Sequence, residues 1–357
     1  MTQTKTTTMT NSFLTQTCID AASPDTKRRR FLMALAAIPL AGAISLPRTA
    51  RAAAAGAVPK TAGATALIEG RDRWLFPGWE SLTEDSTAAC LNVVDLIGRV
   101  ANKMAARSIH CAVVIAPLKA RACADKLAEG TTLSTAVAGR YSALVARAKA
   151  IGLDLVDGEA ALARVDTQED ATYIRADYHW SAHTAEAQAD ATAERLIASG
   201  ALHGEKGGAT KLGDWTEERN YGDLAELLPP ERKRVIGKDR FIVRQTDSDG
   251  DALTAATPVV QVVGNSMVQP YLGFPQKLSN ALERPVGLKW TFGDVGPWKT
   301  LLDYLESPAF KATPPQAIVW QFNEGQMMSG PGAVGQWDVA SVMADDAWLA
   351  RVTKALG

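Results

Sequence analysis

The chain has 357 residues, of which 46% are hydrophobic and 22% are charged, so it can bury a sizeable core in one large domain or two smaller ones. Its formal net charge at pH 7 is −1, with acidic and basic residues interspersed. This balance gives no basic surface for nucleic acid or for an anionic membrane, and we predict no nucleic-acid partner.

The N-terminal segment predicts export from the cytoplasm. Four basic residues, Lys27–Arg30, stand directly before an Ala-rich apolar run from Phe31 to Leu46. This arrangement matches a twin-arginine signature, and Ala50-Arg51-Ala52 supplies the small residues that a signal peptidase accepts. We predict a signal peptide over residues 1–52 and a periplasmic protein. An uncleaved membrane anchor is the alternative, which the shortness of the apolar run and Pro39 disfavour.

Beyond an Ala/Gly linker over 53–65, apolar strand-like runs alternate with segments of helical periodicity through one domain, 66–357. The predicted strands are 66–76, 108–116, 154–156, 258–263, 287–292 and 317–322. The predicted helices are 88–106, 133–150, 181–199, 276–283 and 297–305. The run at 109–115 is nearly all apolar, as in a strand covered on both faces. The alternation predicts an α/β sandwich with a mostly parallel central sheet flanked by helices.

One stretch, 201–257, differs from the rest of the chain. It is polar and charged, and it contains Gly207-Gly208, Pro229-Pro230 and the acidic stretch Asp247–Asp251. We predict a polar insertion around 201–257 that contributes little of the core.

The cysteines do not predict a disulfide framework. Cys18 falls in the predicted signal peptide, which leaves three, an odd number. Cys111 lies inside an apolar strand and is interpreted as a small buried hydrophobic residue. A single bridge between Cys90 and Cys123 stays open.

Two short motifs carry the chemistry. Asp177-Tyr178-His179-Trp180 directly precedes a predicted helix, and Gly264-Asn265-Ser266 directly follows a predicted core strand, where open α/β sheets place their ligand sites. A serine needs a base to become a nucleophile, and His179 can serve, with Asp177 accepting from Nδ1 so that Nε2 is free to take the proton. Ser266, His179 and Asp177 are therefore predicted as a catalytic triad.

A zinc site is the competing interpretation of the histidines. His179 and His183 stand four residues apart, a spacing that places both on one helix face, but Trp180 occupies the position of the glutamate in H-E-x-x-H. We therefore predict no metal, and the triad chemistry requires no cofactor.

The motifs resemble those of the alginate O-acetylation proteins of the AlgJ and AlgX type, in order, from Ile68 to Glu324. The matching segments are Gly70–Phe76, Pro117-Leu118-Lys119, Tyr173–Trp180, Gly222-Asp223-Leu224 and Gly264-Asn265-Ser266. Asn265 and Gln321 depart from the residues usual at their positions.

The resemblance implies an SGNH-hydrolase-like fold with circularly permuted motif order, in which Asp177, His179 and Ser266 match the catalytic residues. It also implies acetyl transfer to an exopolysaccharide in the periplasm, with a membrane-bound O-acyltransferase as partner and acetyl source. By similarity to SGNH enzymes, the backbone N–H of Ser266 is expected to stabilise the oxyanion. Gly296 is a second expected donor.

Aromatic residues near the motifs suit sugar rings, although tryptophans commonly serve as core residues. Trp180, Trp298 and Trp320 are predicted as substrate-binding residues. Two other functions stay open on the same fold: an acetylesterase, in which water replaces the sugar, and a non-catalytic polysaccharide-binding or assembly protein.

Overall fold

A five-stranded parallel sheet forms the centre of the structure, a computed structural model that describes residues 67–166, 171–246 and 257–357. The strands are β1 (Leu67–Glu69), β2 (Leu75–Pro77), β3 (His110–Ala116), β4 (Asp154–Val156), β5 (Leu212–Asn220), β6 (Asp239–Thr246), β7 (Val260–Gly264), β8 (Val286–Trp290) and β9 (Ala317–Asn323). The central sheet has the order β4-β3-β9-β7-β8, and every neighbouring pair is parallel. This confirms the predicted α/β class.

Helices cover both faces of the sheet. They are α1 (Thr87–Ala105), α2 (Lys119–Ala122), α3 (Thr135–Ala150), α4 (Gly158–Leu162), α5 (Ala182–Ser199), α6 (Asp223–Glu226), α7 (Pro230–Ile236), α8 (Phe274–Leu282), α9 (Gly296–Leu305), α10 (Pro308–Ala312) and α11 (Asp345–Leu356). Because successive strand residues point to opposite faces, Ala112 and Val114 join the core beneath α5 and α8, whereas Val113 and Ile115 join the core beneath α1 and α9. Burial on both faces explains the apolar run in β3.

Helix α5 is positioned by signals at both of its ends. The Ser181 hydroxyl accepts the N–H of Thr184 at 3.3 Å, and Gly200 closes the helix at a left-handed φ of 67°. The helix therefore begins directly after the Asp177–Trp180 motif and holds that motif at the carboxyl end of the sheet.

The segment predicted as a polar insertion contributes more to the core than expected. Strands β5 and β6 form an antiparallel pair, and Phe241 and Val243 of β6 are buried in the main core. Leu224 and Ala225 of α6 are buried in a small hydrophobic cluster that is separate from the cores on the two faces of the sheet. The alternation in β6 hides one apolar face inside a sequence that is polar on average. Residues 247–256 lie outside the described part of the chain.

The structure places Cys90, Cys111 and Cys123 as three buried free thiols, so no Cys90–Cys123 bridge forms. Cys123 instead lies 3.3 Å from the Thr172 hydroxyl. Burial raises the pKa of the Cys111 thiol to about 12, which suits a residue that acts as a small hydrophobic side chain.

The predicted signal peptide and the whole of the predicted linker lie outside the described residues. Among the residues that are described, no helix has both the length and the apolar character needed to cross a membrane.

Candidate active site

The nucleophile turn follows β7 at the carboxyl end of the sheet. Ser266 opens a short 3₁₀ helix, Ser266–Val268, whose first turn is capped by the Asn265 side chain accepting the N–H of Met267 at 2.9 Å. A Cβ on Gly264 would lie 2.7 Å from the Gln321 amide oxygen, so only glycine fits between β7 and the neighbouring β9. Ser266 is half-buried, which leaves its hydroxyl within reach of a substrate.

The three predicted triad residues lie in one hydrogen-bonded chain. His179 Nδ1 is 2.7 Å from Asp177 Oδ1, and His179 Nε2 is 2.8 Å from Ser266 Oγ. Asp177 and His179 are buried, with 1% and 5% of their surface exposed. With Asp177 accepting from Nδ1–H, Nε2 is the basic nitrogen and faces the serine. This is the geometry that general-base activation of a serine requires.

A buried lysine holds the loop that carries Asp177 and His179. The Lys119 ammonium lies 2.7–2.8 Å from four backbone carbonyl oxygens, those of Leu75, Ile174, Arg175 and Asp177, which share its three N–H donors. Its burial lowers the pKa of Lys119 to about 8. The Pro117-Leu118-Lys119 segment therefore crosslinks β2 to the base-carrying loop. The sequence motif includes this lysine but does not predict which groups its ammonium contacts.

The Gly222-Asp223-Leu224 element packs against the same loop. A Cβ on Gly222 would lie 2.2 Å from the Ala176 carbonyl oxygen, which explains the glycine. The backbone N–H of Asp223 donates to Asp177 Oδ2 at 3.0 Å. The Asp177 carboxylate is thus held by Asp223 on one oxygen and by His179 on the other.

A metal ion could in principle use this cluster, because potential ligand atoms of Asp177, His179 and Asp223 lie within 4.8 Å of one another. Both oxygens of Asp177 already accept hydrogen bonds, and the His179 Nδ1–Asp177 contact is the one a triad needs. His183 lies against Trp215 with ring centroids 4.6 Å apart. His183 is not among the three residues of that cluster.

The two departures from the resemblance, Asn265 and Gln321, contact each other. The backbone N–H of Asn265 donates to Gln321 Oε1 at 3.1 Å, and the Gln321 amide donates to Asn323 Oδ1 at 2.9 Å. The Asn265 amide donates to Gln326 Oε1 at 3.0 Å. Asn323 in turn donates to the Tyr178 hydroxyl at 2.6 Å. This amide network connects the nucleophile turn to the residue beside His179.

The network ends at the buried carboxyl group of Glu80, which no sequence motif predicts as part of the site. The Tyr178 hydroxyl donates to Glu80 Oε1 at 3.2 Å, whereas Glu80 Oε2 is buried without a hydrogen-bond partner among the described residues. Burial, reinforced by the negative charge of Glu324, raises the pKa of Glu80 to about 8. Glu80 is therefore mainly protonated in the folded protein at neutral pH.

We expect Glu80→Gln to stabilise the protein at alkaline pH and to change little at acidic pH. From pH 4.5 to about 8 the folded state holds the Glu80 proton and the unfolded chain does not, so the free energy of unfolding falls as pH rises. Glutamine resembles the protonated acid and abolishes that loss, which is on the order of 5 kcal/mol. Melting temperatures of both proteins from pH 5 to 9 would measure the difference. Parallel pH profiles would contradict a raised pKa.

The three predicted sugar-binding tryptophans are core residues. Trp180 and Trp320 are fully buried and Trp298 is 1% exposed. Trp180 stacks on Phe274, and its indole N–H donates to the Met267 carbonyl at 2.9 Å. Trp298 and Trp320 pack edge to face, with ring centroids 5.3 Å apart. The predicted stacking role is wrong for all three, because none has an accessible ring face.

Gly296 has a structural explanation that is separate from catalysis. It adopts φ 79° at the start of α9, and a Cβ there would lie 2.6 Å from the Trp337 ring. Its role as a second oxyanion donor stays a prediction.

Comparison with known proteins identifies the family of the chain. Residues 67–324 match the family model described as SGNH hydrolase-like domain, acetyltransferase AlgX. The chain is 27% identical to the probable alginate O-acetylase AlgJ of Pseudomonas fluorescens over 310 residues, which cover 82% of this chain and 74% of that protein. It is 26% identical to the alginate biosynthesis protein AlgX of Pseudomonas putida, covering 72% of this chain and 56% of that protein.

Solved structures give the same result. The O-acetyltransferase domain of Pseudomonas putida AlgJ superposes with a TM-score of 0.67 at 25% identity, covering 81% of this chain and 99% of that one. AlgX of Pseudomonas aeruginosa shares the fold, with a TM-score of 0.55 at 20% identity over 72% of this chain and 62% of that one. The chain therefore belongs to the family of AlgX-type acetyltransferases with an SGNH hydrolase-like domain, and it is an O-acyltransferase.

Proposed function

We propose that this enzyme acetylates hydroxyl groups of an exopolysaccharide, similar to alginate, through an acetyl-serine on Ser266. The observation that carries the proposal is the hydrogen-bonded chain from Asp177 through His179 to Ser266 in a member of an acetyltransferase family. The names of the AlgJ and AlgX relatives support the substrate class.

In the first half-reaction, Ser266 Oγ attacks the carbonyl carbon of the acetyl donor while His179 Nε2 takes the hydroxyl proton. The tetrahedral intermediate collapses by expelling the donor oxygen, which receives that proton from the imidazolium. Asp177 holds Nδ1–H and stabilises the imidazolium at 2.7 Å. The products are acetyl-Ser266 and the deacylated donor.

In the second half-reaction, a sugar hydroxyl attacks the acetyl carbonyl of acetyl-Ser266. His179 Nε2 takes the proton of that hydroxyl and returns it to Ser266 Oγ as the ester bond breaks. The free serine and the acetylated sugar result, with no net change in protons or redox state.

The backbone N–H of Ser266 is the proposed oxyanion donor. It lies at the first position of the 3₁₀ helix, where N–H groups point away from the helix. The Asn265 and Gln321 contacts fix the turn on both sides of this group, which supports a donor that needs no rearrangement during the reaction.

Accessible aromatic rings beside the nucleophile turn are better placed to meet a sugar than the buried tryptophans. Trp290 pairs with Gly264 in register at the end of β8, is half-buried, and packs edge to face on Phe292. Phe292 is 39% exposed. We propose this pair as the surface on which an acceptor ring stacks.

The cellular setting completes the proposal. We propose that the enzyme acts in the periplasm, to which the twin-arginine pattern at Lys27–Arg30 would direct it, and that a membrane-bound O-acyltransferase supplies the acetyl group. Replacing Arg28 and Arg29 with lysine should then block export, and continued export would contradict the signal.

A partition experiment separates a transferase from an esterase with the same triad. We expect that the purified enzyme, given an activated acetyl ester and oligosaccharides of the host exopolymer, forms acetylated sugar faster than acetate. A bound hydroxyl benefits from an effective molarity of ~10⁵ M or more relative to a bimolecular reaction. Mass spectrometry of the sugar and an acetate assay would measure both products, with Ser266→Ala as the control. Fast acetate release that no oligosaccharide alters would support the esterase instead.

A further inference from the structure

A second carboxylate faces the base of the triad. Asp223 Oδ2 lies 3.5 Å from His179 Nδ1, the same nitrogen that Asp177 Oδ1 contacts at 2.7 Å. Asp223 is 21% exposed at its side chain, whereas Asp177 is 1% exposed. Nδ1 therefore has a close, buried acceptor and a slightly more distant, partly solvated one.

The position of Asp223 is fixed by the fold from several directions. Its own backbone N–H donates to Asp177 Oδ2, and the N–H of Ala225 donates to the Ala176 carbonyl at 3.1 Å. Gly222 allows this approach because a Cβ would overlap the Ala176 carbonyl. Leu224 is buried in a small hydrophobic cluster, which anchors α6. These contacts involve the backbone, and the Asp223 carboxylate faces His179.

The Asp223 carboxylate can stabilise the charged form of His179. His179 becomes positively charged each time it takes a proton from Ser266 or from the acceptor hydroxyl. A negative charge 3.5 Å from Nδ1 stabilises that imidazolium, and it can accept the Nδ1–H bond after a small side-chain movement if Asp177 is lost. Two carboxylates beside one imidazole would therefore both orient the ring and stabilise its charged form, as a single aspartate does in a simple triad.

We propose that Asp223 is a second positioning residue for His179, and that Asp177 and Asp223 substitute for each other in part. The proposal rests on the proposed function of the Ser266–His179 pair. It explains why an aspartate follows Gly222 at the point where α6 meets the base-carrying loop.

The test is a double-mutant cycle on the rate of acetyl-enzyme formation from an activated acetyl ester in a single turnover. We expect Asp223→Asn to slow this step ~3–10-fold and Asp177→Ala ~10–100-fold, well short of the ~10⁴-fold loss that an aspartate without a substitute can cause. The double variant should lose more than the product of the two and reach the level of His179→Ala. Asp223→Asn keeps the backbone donor to Asp177 and should melt within a few degrees of the wild type.

A matched control is Glu226→Gln on the same short helix, where the carboxylate binds Lys233 at 2.8 Å and not the histidine. It should react at the wild-type rate. Asp223→Glu, which keeps the charge, should react faster than Asp223→Asn. Effects that simply multiply, or equal losses for Glu and Asn at position 223, would overturn the proposal. Retained activity in Ser266→Ala or His179→Ala would instead refute the proposed function itself.

Discussion

Replacing Ser266 with alanine is expected to lower the rate of acetyl transfer by about 10⁴-fold or more without unfolding the protein. The hydroxyl is the nucleophile, and its hydrogen bond runs to His179 Nε2 at 2.8 Å. The surrounding turn is held by Asn265 and by backbone contacts, which the substitution leaves intact. Single-turnover kinetics and thermal melting would measure both effects.

His179→Ala should match Ser266→Ala, and the double variant should be no slower than either, because members of a triad act as one unit. Ser199→Ala is the control, since that hydroxyl bonds the Leu196 carbonyl at the end of α5. A His179→Ala protein that kept a substantial fraction of the wild-type rate would contradict the assignment of the base.

Lys119→Met is expected to lower the free energy of unfolding by roughly 3 kcal/mol or more and to abolish acetyl transfer. Methionine fills a similar volume but donates no hydrogen bond, so the carbonyls of Leu75, Ile174, Arg175 and Asp177 lose their shared donor. A buried carbonyl left unpaired costs about 1–3 kcal/mol. The Ile174 and Arg175 carbonyls each keep one backbone N–H donor, and removal of the buried charge also offsets part of the loss. Urea denaturation would measure the change.

Lys126→Met provides a matched comparison, because the Lys126 side chain is partly exposed and its ammonium pairs only with the neighbouring Asp125 among the described residues. It should cost less than about 1 kcal/mol and leave the rate unchanged. A Lys119→Met protein as stable and as active as this control would show that the lysine does not hold the loop.

Local patterns predicted the elements that local forces determine. The predictions of β3 and of both ends of α5, at Ser181 and Gly200, are confirmed. Burial on two faces and helix capping both depend on residues that are close together in the sequence. Asp177, His179 and Ser266 were brought together by resemblance and by their positions beside predicted elements. The structure places them in hydrogen-bonding contact.

Contacts between distant segments could not be predicted in this way. Glu80 meets Tyr178 across 98 residues and Lys119 meets Asp177 across 58, and no local pattern reports such pairs. The sugar-binding prediction for Trp180 is wrong because a position next to His179 does not determine whether the ring faces solvent or the core. It pairs with Tyr173 in an isolated antiparallel bridge, and both rings point inward.

Intact-protein mass spectrometry of the enzyme, quenched with acid shortly after an activated acetyl ester is added, tests directly whether an acetyl-serine forms. We expect one acetyl group per chain, located on Ser266 by peptide mapping, absent from Ser266→Ala, and passed to an oligosaccharide of the host polymer when one is supplied. Transfer of acetyl to the sugar with no acetylated enzyme, or with the acetyl group on another residue, would contradict the acetyl-serine mechanism.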